Sequence, residues 1–430
     1  MELSPDLVAA IKDAVRHNFA KQVEFTQKIV RFGGQRGEET AVQDELLAQY
    51  ASRGYSTDRL AMDESVLSKH PGAGKFSAQH SKAPVAIGIH EPTSQVPGGK
   101  SLILNGHIDV VPLGPEDLWL DKPYSGTIEG DWLYGRGSGD MRSGLVANLF
   151  ALDALRLIGK QPASRVILES VPEEESTGNG TMATYLAGYT ADAALIPEPT
   201  DESLIRANVG VLWFQIDVRG RPVHVLKMGE GSNAIASAWK LGSALQSLEQ
   251  RMNDERTAKP HFEATERPIN FNIAMIQGGD WASSVPAWCR IDCRIALYPG
   301  TAAEAMAAEI ERVVQEAALA DPFLANAPPK ITWNGFFAEG YVLEPGSDAE
   351  KLLGVAHQHA TQAELKTSTV PAYLDARVFA LYNKIPALCY GPIGESLHGF
   401  DERVSLSSIE RVTTSIALFI AGWCGLEDAV

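Results

Sequence analysis

Six acids and two imidazoles stand where apolar runs give way to glycine- or proline-marked turns. They are His107 and Asp109 in SLILNGHID, Asp140 in GRGSGDM, Glu173, Glu174 and Glu175 in VILESVPEEESTGNG, Glu198 in ALIPEPT, and His398 in ESLHGFDE. Open α/β sheets carry their active groups at strand ends of this kind. Neutral imidazoles mixed with carboxylates suit one or two borderline divalent ions, zinc foremost. A carboxylate left over beside a ligand suits a general base. The set points to metal-dependent hydrolysis.

Each group also has a plainer reading. His107 and Asp109 are two apart, so on an extended segment they point the same way. Asp109 can then accept the second ring N–H of His107 and fix its tautomer, or it can be only a capping residue. Asp140 follows three glycines within five residues (Gly135, Gly137, Gly139), which let backbone approach closely. It can cap the helix that follows, bridge two ions, or do both. The glutamate run fits a solvated loop, or one metal ligand with a free neighbour facing a water. His224, in RPVHVL, reads as a solvated loop residue on its own.

The surrounding elements decide whether these groups can meet. SLILNGHID, SRVILESV and DAALIPEP read as buried strands, and Leu145, Leu149, Leu152 and Leu155 repeat at helical spacing before Gly159. Strands alternating with helices predict a mainly parallel sheet covered on both faces. From residue 207 the texture changes. VLWFQIDVRG alternates, with Leu212, Phe214, Ile216 and Val218 on one face, which predicts a sheet covered on one side. The succession β-α-β-β-α-β up to PKITWNG is the ferredoxin-like split motif. After residue 337 the first texture returns, with PALCYGPIG as strand and turn and a closing helix, SLSSIERVTTSIALFIAGWC. The expected division is 1–206 and 338–430 as one α/β catalytic domain, with 207–337 inserted. His70–Lys100, rich in Gly, Pro, Ser and Lys, reads as a surface excursion holding one strand, APVAIGI.

Bulk properties narrow the classes. The chain has 430 residues, 45% of them hydrophobic, and a net charge of -17, so nucleic acid and anionic membrane are poor partners. No stretch approaches a membrane span, and the first residues lack a signal-peptide pattern. Four cysteines are too few for a disulfide scaffold. Cys289 and Cys293, four apart on one strand, read as core residues. The expectation is a cytoplasmic protein with reduced thiols.

The motifs NGHIDVVP, YGRGSGDMRSG, VPEEESTGNGT, IPEPT and LHGFDE resemble the dinuclear zinc metallopeptidases and deacylases, which include acetylornithine deacetylase, succinyl-diaminopimelate desuccinylase, aminoacylase and glutamate carboxypeptidase. The resemblance covers most of residues 100–430. It implies that His107 and Glu198 bind one ion, Glu175 and His398 the other, and Asp140 both. It implies Glu174 as general base, Asp109 as the orienter of His107, and a cis peptide after Asp140. The ions would be zinc, with cobalt or manganese as alternatives. The family usually has Asp where Glu173 stands, and serine where Val225 follows His224. The inserted unit resembles the family's lid and dimer interface, so a homodimer is implied, with His224 reaching the other subunit's site to steady an oxyanion. Substrate contacts are implied for Arg377, Arg294 and Asn233. The implied reaction is hydrolysis of an N-acyl amino acid or related N-acyl or N-formyl amine. The alternatives are a di- or tripeptidase or carboxypeptidase, an aminohydrolase acting on an aromatic amine, and a non-catalytic binding module on the same fold.

Overall fold

The computed structural model describes residues 3–93 and 99–429. Residues 94–98 of the expected His70–Lys100 excursion therefore lie outside the described residues. The acidic-and-basic start forms a long helix, α1 (Pro5–Arg31), followed by α2 (Thr40–Ser52), β1 (Ser56–Leu60), β2 (Val85–His90) and β3 (Leu102–His107). Next come α3 (Ser143–Leu157), β4 (Val166–Val171), α4 (Asn179–Leu186) and β5 (Ala194–Ile196). A middle stretch holds β6 (Gly210–Arg219), α5 (Ala234–Asp254), β7 (Phe271–Gly278), β8 (Trp288–Leu297), α6 (Ala303–Leu319) and β9 (Lys330–Ala338). The chain then returns through α7 (Asp348–Thr361), β10 (Ala387–Cys389) and α8 (Leu406–Cys424).

A six-stranded sheet runs in the order β1-β2-β4-β3-β5-β10. The pairs β4–β3, β3–β5 and β5–β10 are parallel, while β1–β2 and β2–β4 are antiparallel. Every residue of β3, β4 and β5 is buried, so these strands read as mainly apolar without alternation, and the polar groups they carry, such as Asn105 and Glu169, lie inside. α1, α3 and α8 pack on one another, and a single core joins Val8, Ile103, Leu149, Leu388 and Phe419. β10 lies against β5, so the two ends of the chain share one sheet. The fold class is mixed α/β with a mainly parallel sheet. The two antiparallel edge pairings were not legible, because hydrophobic periodicity carries no strand direction.

The middle stretch forms a separate four-stranded sheet, β7-β8-β6-β9, all antiparallel, with its own core. Leu212, Phe214, Ile216 and Val218 of β6 are buried against it, as are Cys289 and Cys293 of β8, and α5 and α6 pack on each other. The order is that of the expected split motif. A further three-stranded sheet was not anticipated. In it Leu204–Asn208 pairs with Tyr341–Val342 and with Thr367–Val370, so the chain's two crossings into the middle stretch are hydrogen-bonded side by side.

One buried acid of β4 makes stability depend on pH. Glu169 is 1% exposed, accepts hydrogen bonds from Asn105 and Thr184, and has one oxygen without a partner. Burial pushes its carboxyl up to about 7. A carboxyl whose folded pKa lies above its unfolded value favours the fold while protonated and opposes it once ionised. Stability therefore falls as pH rises from the ordinary glutamate value through about 7. Glu169→Gln is expected to raise the melting temperature at pH 8, by about 3 kcal/mol of stability at most, with the gain vanishing near pH 4.5. Thermal melts of both proteins across that range check this.

Candidate metal centre

Parallel strands end on one edge of their sheet, and the site is built there. β3 delivers His107, the turn after β4 delivers Glu173, Glu174 and Glu175, and the turn after β5 delivers Glu198. Asp140 comes from the glycine loop that enters α3, and its bond to Met141 is cis. His398 comes from the loop after β10.

These groups converge. His107 Nε2 lies 3.0 Å from Asp140 Oδ1 and 3.8 Å from Glu198 Oε2. His398 Nε2 lies 3.0 Å from Glu175 Oε1 and 3.4 Å from Asp140 Oδ2. The two oxygens of Asp140 thus face two different imidazoles. Three overlapping sets, His107/Asp140/Glu198, Asp140/Glu175/His398 and His107/Glu174/Glu175, each bring donor atoms within 4.8 Å of one another.

The charge balance fits divalent ions. Among the described residues no Lys or Arg forms an ion pair with Asp140, Glu174, Glu175 or Glu198; the ion pairs of Asp140, Glu175 and Glu198 are with His107 and His398 alone. Among the described residues Glu198 Oε1 is buried with no hydrogen-bond partner. Burial drives the carboxyls of Glu174 and Glu198 well up, and the charges of neighbouring acids add to this. The Glu175 carboxylate pushes His398 up to about 11. Burial opposes charge on His107, yet Glu198 and Asp140 raise it above the ordinary imidazole range. Acids crowded in this way, with imidazoles between them and an orphaned oxygen, form a donor set for cations.

Glu174 is 5% exposed, and among the described residues its carboxylate has no hydrogen-bond partner. Glu173, by contrast, turns away at φ 70°. It receives two bonds from Arg36, at 2.5 and 2.7 Å, and others from Ser81 N and Thr177 Oγ1. The register of the acid run is thereby set by which side chain faces the cluster.

The sequence pattern of Peptidase family M20/M25/M40 matches residues 103–422. The chain belongs to this family. An N-formyl-4-amino-5-aminomethyl-2-methylpyrimidine deformylase from Halalkalibacterium halodurans is 31% identical over 349 residues, covering 77% of this chain and 81% of that protein. A succinyl-diaminopimelate desuccinylase from Dinoroseobacter shibae is 27% identical over 325 residues, covering 73% and 81%. Among solved structures, the M20 family metallo-carboxypeptidase Sso-CP2 from Sulfolobus solfataricus superposes with a TM-score of 0.72 at 14% identity, covering 93% of this chain and 98% of that one. At that identity the likeness concerns the fold.

Other expected residues of this M20 chain are placed differently. The Asp109 carboxylate was expected to hold the second nitrogen of His107. That nitrogen lies 3.0 Å from the backbone carbonyl of Asp109 and 3.7 Å from its carboxylate. The carboxylate instead accepts the backbone N–H groups of Glu174 and Glu175, at 3.3 and 3.1 Å, and so shapes the acid turn. Burial pushes Asp109 up to about 8.

Arg377 was expected to grip a substrate carboxylate; in the structure its partners all belong to the chain itself. It is fully buried, and its guanidinium is taken up by Glu339 at 3.1 Å, by the carbonyl of Gly72 and by the hydroxyls of Tyr373 and Tyr382. The ion-pair partner is Glu339, which follows β9 directly, rather than the nearby Asp375. Asp375 accepts from Thr181 and Tyr373. Asn233 caps α5, accepting from Ile235 N and Ala236 N, and does not touch the cluster. His224 is exposed, its ring accepting from Leu226 N, and it does not join the cluster of its own chain. Arg294 is half-buried on β8 and has no ion-pair or hydrogen-bond partner among the described residues.

Three supporting groups escaped the sequence reading. Arg142 is wholly buried and donates to the carbonyls of Ile29, Val30, Gly33 and Ile108, tying the turn after Asp140 to the end of α1. Arg36 holds Glu173. Glu402 sits beneath the Asp140 loop and is bonded to Arg136. Only Glu402 had a signal, its place four residues after His398 in LHGFDE; the partners of the arginines are too distant in sequence to be paired by spacing.

Proposed function

We propose that this M20 hydrolase cleaves the amide bond of a small N-formyl or N-acyl amine, with two zinc ions held by His107, Asp140, Glu175, Glu198 and His398. The observation that carries this reading is Asp140 with one oxygen toward each imidazole while Glu174 stands beside them unbonded. Bound divalent ions supply a water of lowered pKa and polarisation of the amide carbonyl. Glu174 takes a proton from the attacking water onto its carboxylate and passes it to the departing nitrogen as the C–N bond breaks. A carboxylic acid and a free amine result. Asp109 keeps Glu174 aimed by holding the backbone of the acid turn.

The names of the deformylase and the desuccinylase support a non-peptide amide over a peptide. Turnover of a panel of N-formyl, N-acetyl and N-succinyl amines alongside dipeptides tests this. Preferential hydrolysis of dipeptides, dependent on a free α-amino group, would replace it with a peptidase reading.

Arg294 has no ion-pair partner among the described residues, which supports assigning it to an anionic part of the substrate. Arg294→Ala is expected to raise KM by about tenfold for carboxylate-bearing substrates, the worth of a charge-assisted hydrogen bond, with little change in melting temperature. Arg377→Ala should behave in the opposite way, losing about 3 kcal/mol of stability by emptying a buried site and leaving the Gly72 carbonyl without its guanidinium donor. Steady-state kinetics and melts of the two variants separate the roles.

The reading includes residues 207–337 as a lid and dimer unit. β7 is an edge strand of its sheet, and Met275, Ile276, Trp281 and Trp288 are exposed on or beside it. An apolar edge of this kind suits pairing with a second copy, and an exposed His224 is then free to reach the second copy's cluster. Sedimentation of the purified protein tests the dimer.

A further inference from the structure

The loops that carry Asp140 and His398 are far apart in sequence, and neither is part of a main strand. Asp140 closes a glycine loop, with Gly137 at φ +78°, and His398 itself sits at φ 61°. Loops in such conformations hold a side chain in place only when something fixes their backbone.

One buried carboxylate does this for both. Glu402 is 1% exposed. Its Oε1 accepts the backbone N–H groups of Gly139 and Asp140, both at 3.0 Å. Its Oε2 accepts Gly137 N at 3.1 Å and Arg136 Nη1 at 2.6 Å. Its backbone carbonyl accepts Gly135 N at 2.8 Å. Arg136 completes the tie in the other direction. It is 2% exposed, lies over the ring of Trp119, and donates through Nη2 to the carbonyl of Gly399, the residue after His398. The loop of one ligand supplies the arginine and the amides, and the loop of the other supplies the carboxylate and the carbonyl. A Cβ at Gly139 would fall 2.8 Å from a terminal methyl of Leu397, which would have to shift to admit it.

We propose that Glu402 and Arg136 are positioning residues that set the distance between Asp140 and His398, and so build the ion site formed by Asp140, Glu175 and His398. The companion site shares Asp140 but is otherwise held by the sheet, because His107 ends β3 and Glu198 stands two residues beyond β5. The clamp therefore bears on two ligands of one site, Asp140 and His398, and on Asp140 alone in the other. This rests on the two-ion reading above.

The test is a calorimetric titration of metal-free protein with Zn2+, paired with a thermal melt of the same sample. The wild type is expected to take up two equivalents. Glu402→Gln places an amide N–H2 against backbone donors, so the weaker equivalent should lose affinity by at least tenfold, in the range typical of groups that support metal ligands. The tighter one should lose clearly less, since it meets the clamp through Asp140 alone while His107 and Glu198 are placed by the sheet. A merely structural role would weaken both equivalents together in proportion to lost stability. That outcome, or unchanged binding of both, overturns the proposal. If the wild type binds a single equivalent, the two-ion reading fails. The clamp is then judged on that equivalent, and unchanged affinity in Glu402→Gln rejects it. Should Glu402→Gln fail to fold, Arg136→Lys keeps the charge beside Glu402 but drops the bond to Gly399. The same selective loss is expected from it, and wild-type binding in that folded variant overturns the proposal.

Discussion

Glu174→Gln should retain its metal and lose hydrolysis, with kcat falling by about 10²–10⁴. The exchange keeps the size of the side chain and removes its capacity to take a proton. Asp109 holds the backbone of the acid turn through the N–H groups of residues 174 and 175, so the turn itself has no reason to move. Glu174 makes no side-chain hydrogen bond among the described residues, and the amide therefore strands no partner. Melting temperature should hold or rise, because a buried carboxyl raised by desolvation becomes neutral. Metal content, melting and kcat measured on one preparation check all three expectations. A variant that keeps its metal and still hydrolyses would remove Glu174 from the mechanism.

Chelation should abolish activity and lower stability together. Six ionisable side chains, His107, Asp140, Glu174, Glu175, Glu198 and His398, meet in three overlapping sets with no Lys or Arg paired to them among the described residues. Without cations the acids repel one another. With cations the native state gains binding energy that the unfolded chain does not share. An ion present at about a hundred times its dissociation constant adds about 2.7 kcal/mol per site. The expected result is a melting temperature that drops on treatment with a chelator and recovers, along with turnover, when Zn2+ is returned. His398→Ala should recover less than the wild type, because Asp140 and Glu175 then share a site with no imidazole. A chelated protein that melts like the untreated one would count against the site.

The register of the glutamate run shows where reading by sequence stops. Three adjacent acids are equivalent on the page. Glu173 is diverted by Arg36, 137 positions away, and that contact is what leaves Glu174 and Glu175 facing the imidazoles. Arg377 illustrates a second limit. The resemblance of YLDARVF implied a substrate contact and spacing suggested an ion pair with Asp375, whereas the partners are Glu339, Gly72, Tyr373 and Tyr382. Asn233 was equally open to a substrate role until its place at the start of α5 made it a cap.

The amino-acid sequence alone determined the alternation of buried strands and helices, the change of texture at residue 207, the return after 337, and which turns carry acids and imidazoles. These are local properties, written in spacing and side-chain type, and they survive without knowledge of the chain's path. Tertiary structure alone decided the antiparallel edge of the main sheet, the partners of Arg36, Arg142, Arg136 and Arg377, and which oxygen of Asp140 faces which histidine. Those outcomes depend on groups 33 to 305 residues apart meeting in a dry interior, where an unpaired charge is costly. Only packing decides which partner each one finds.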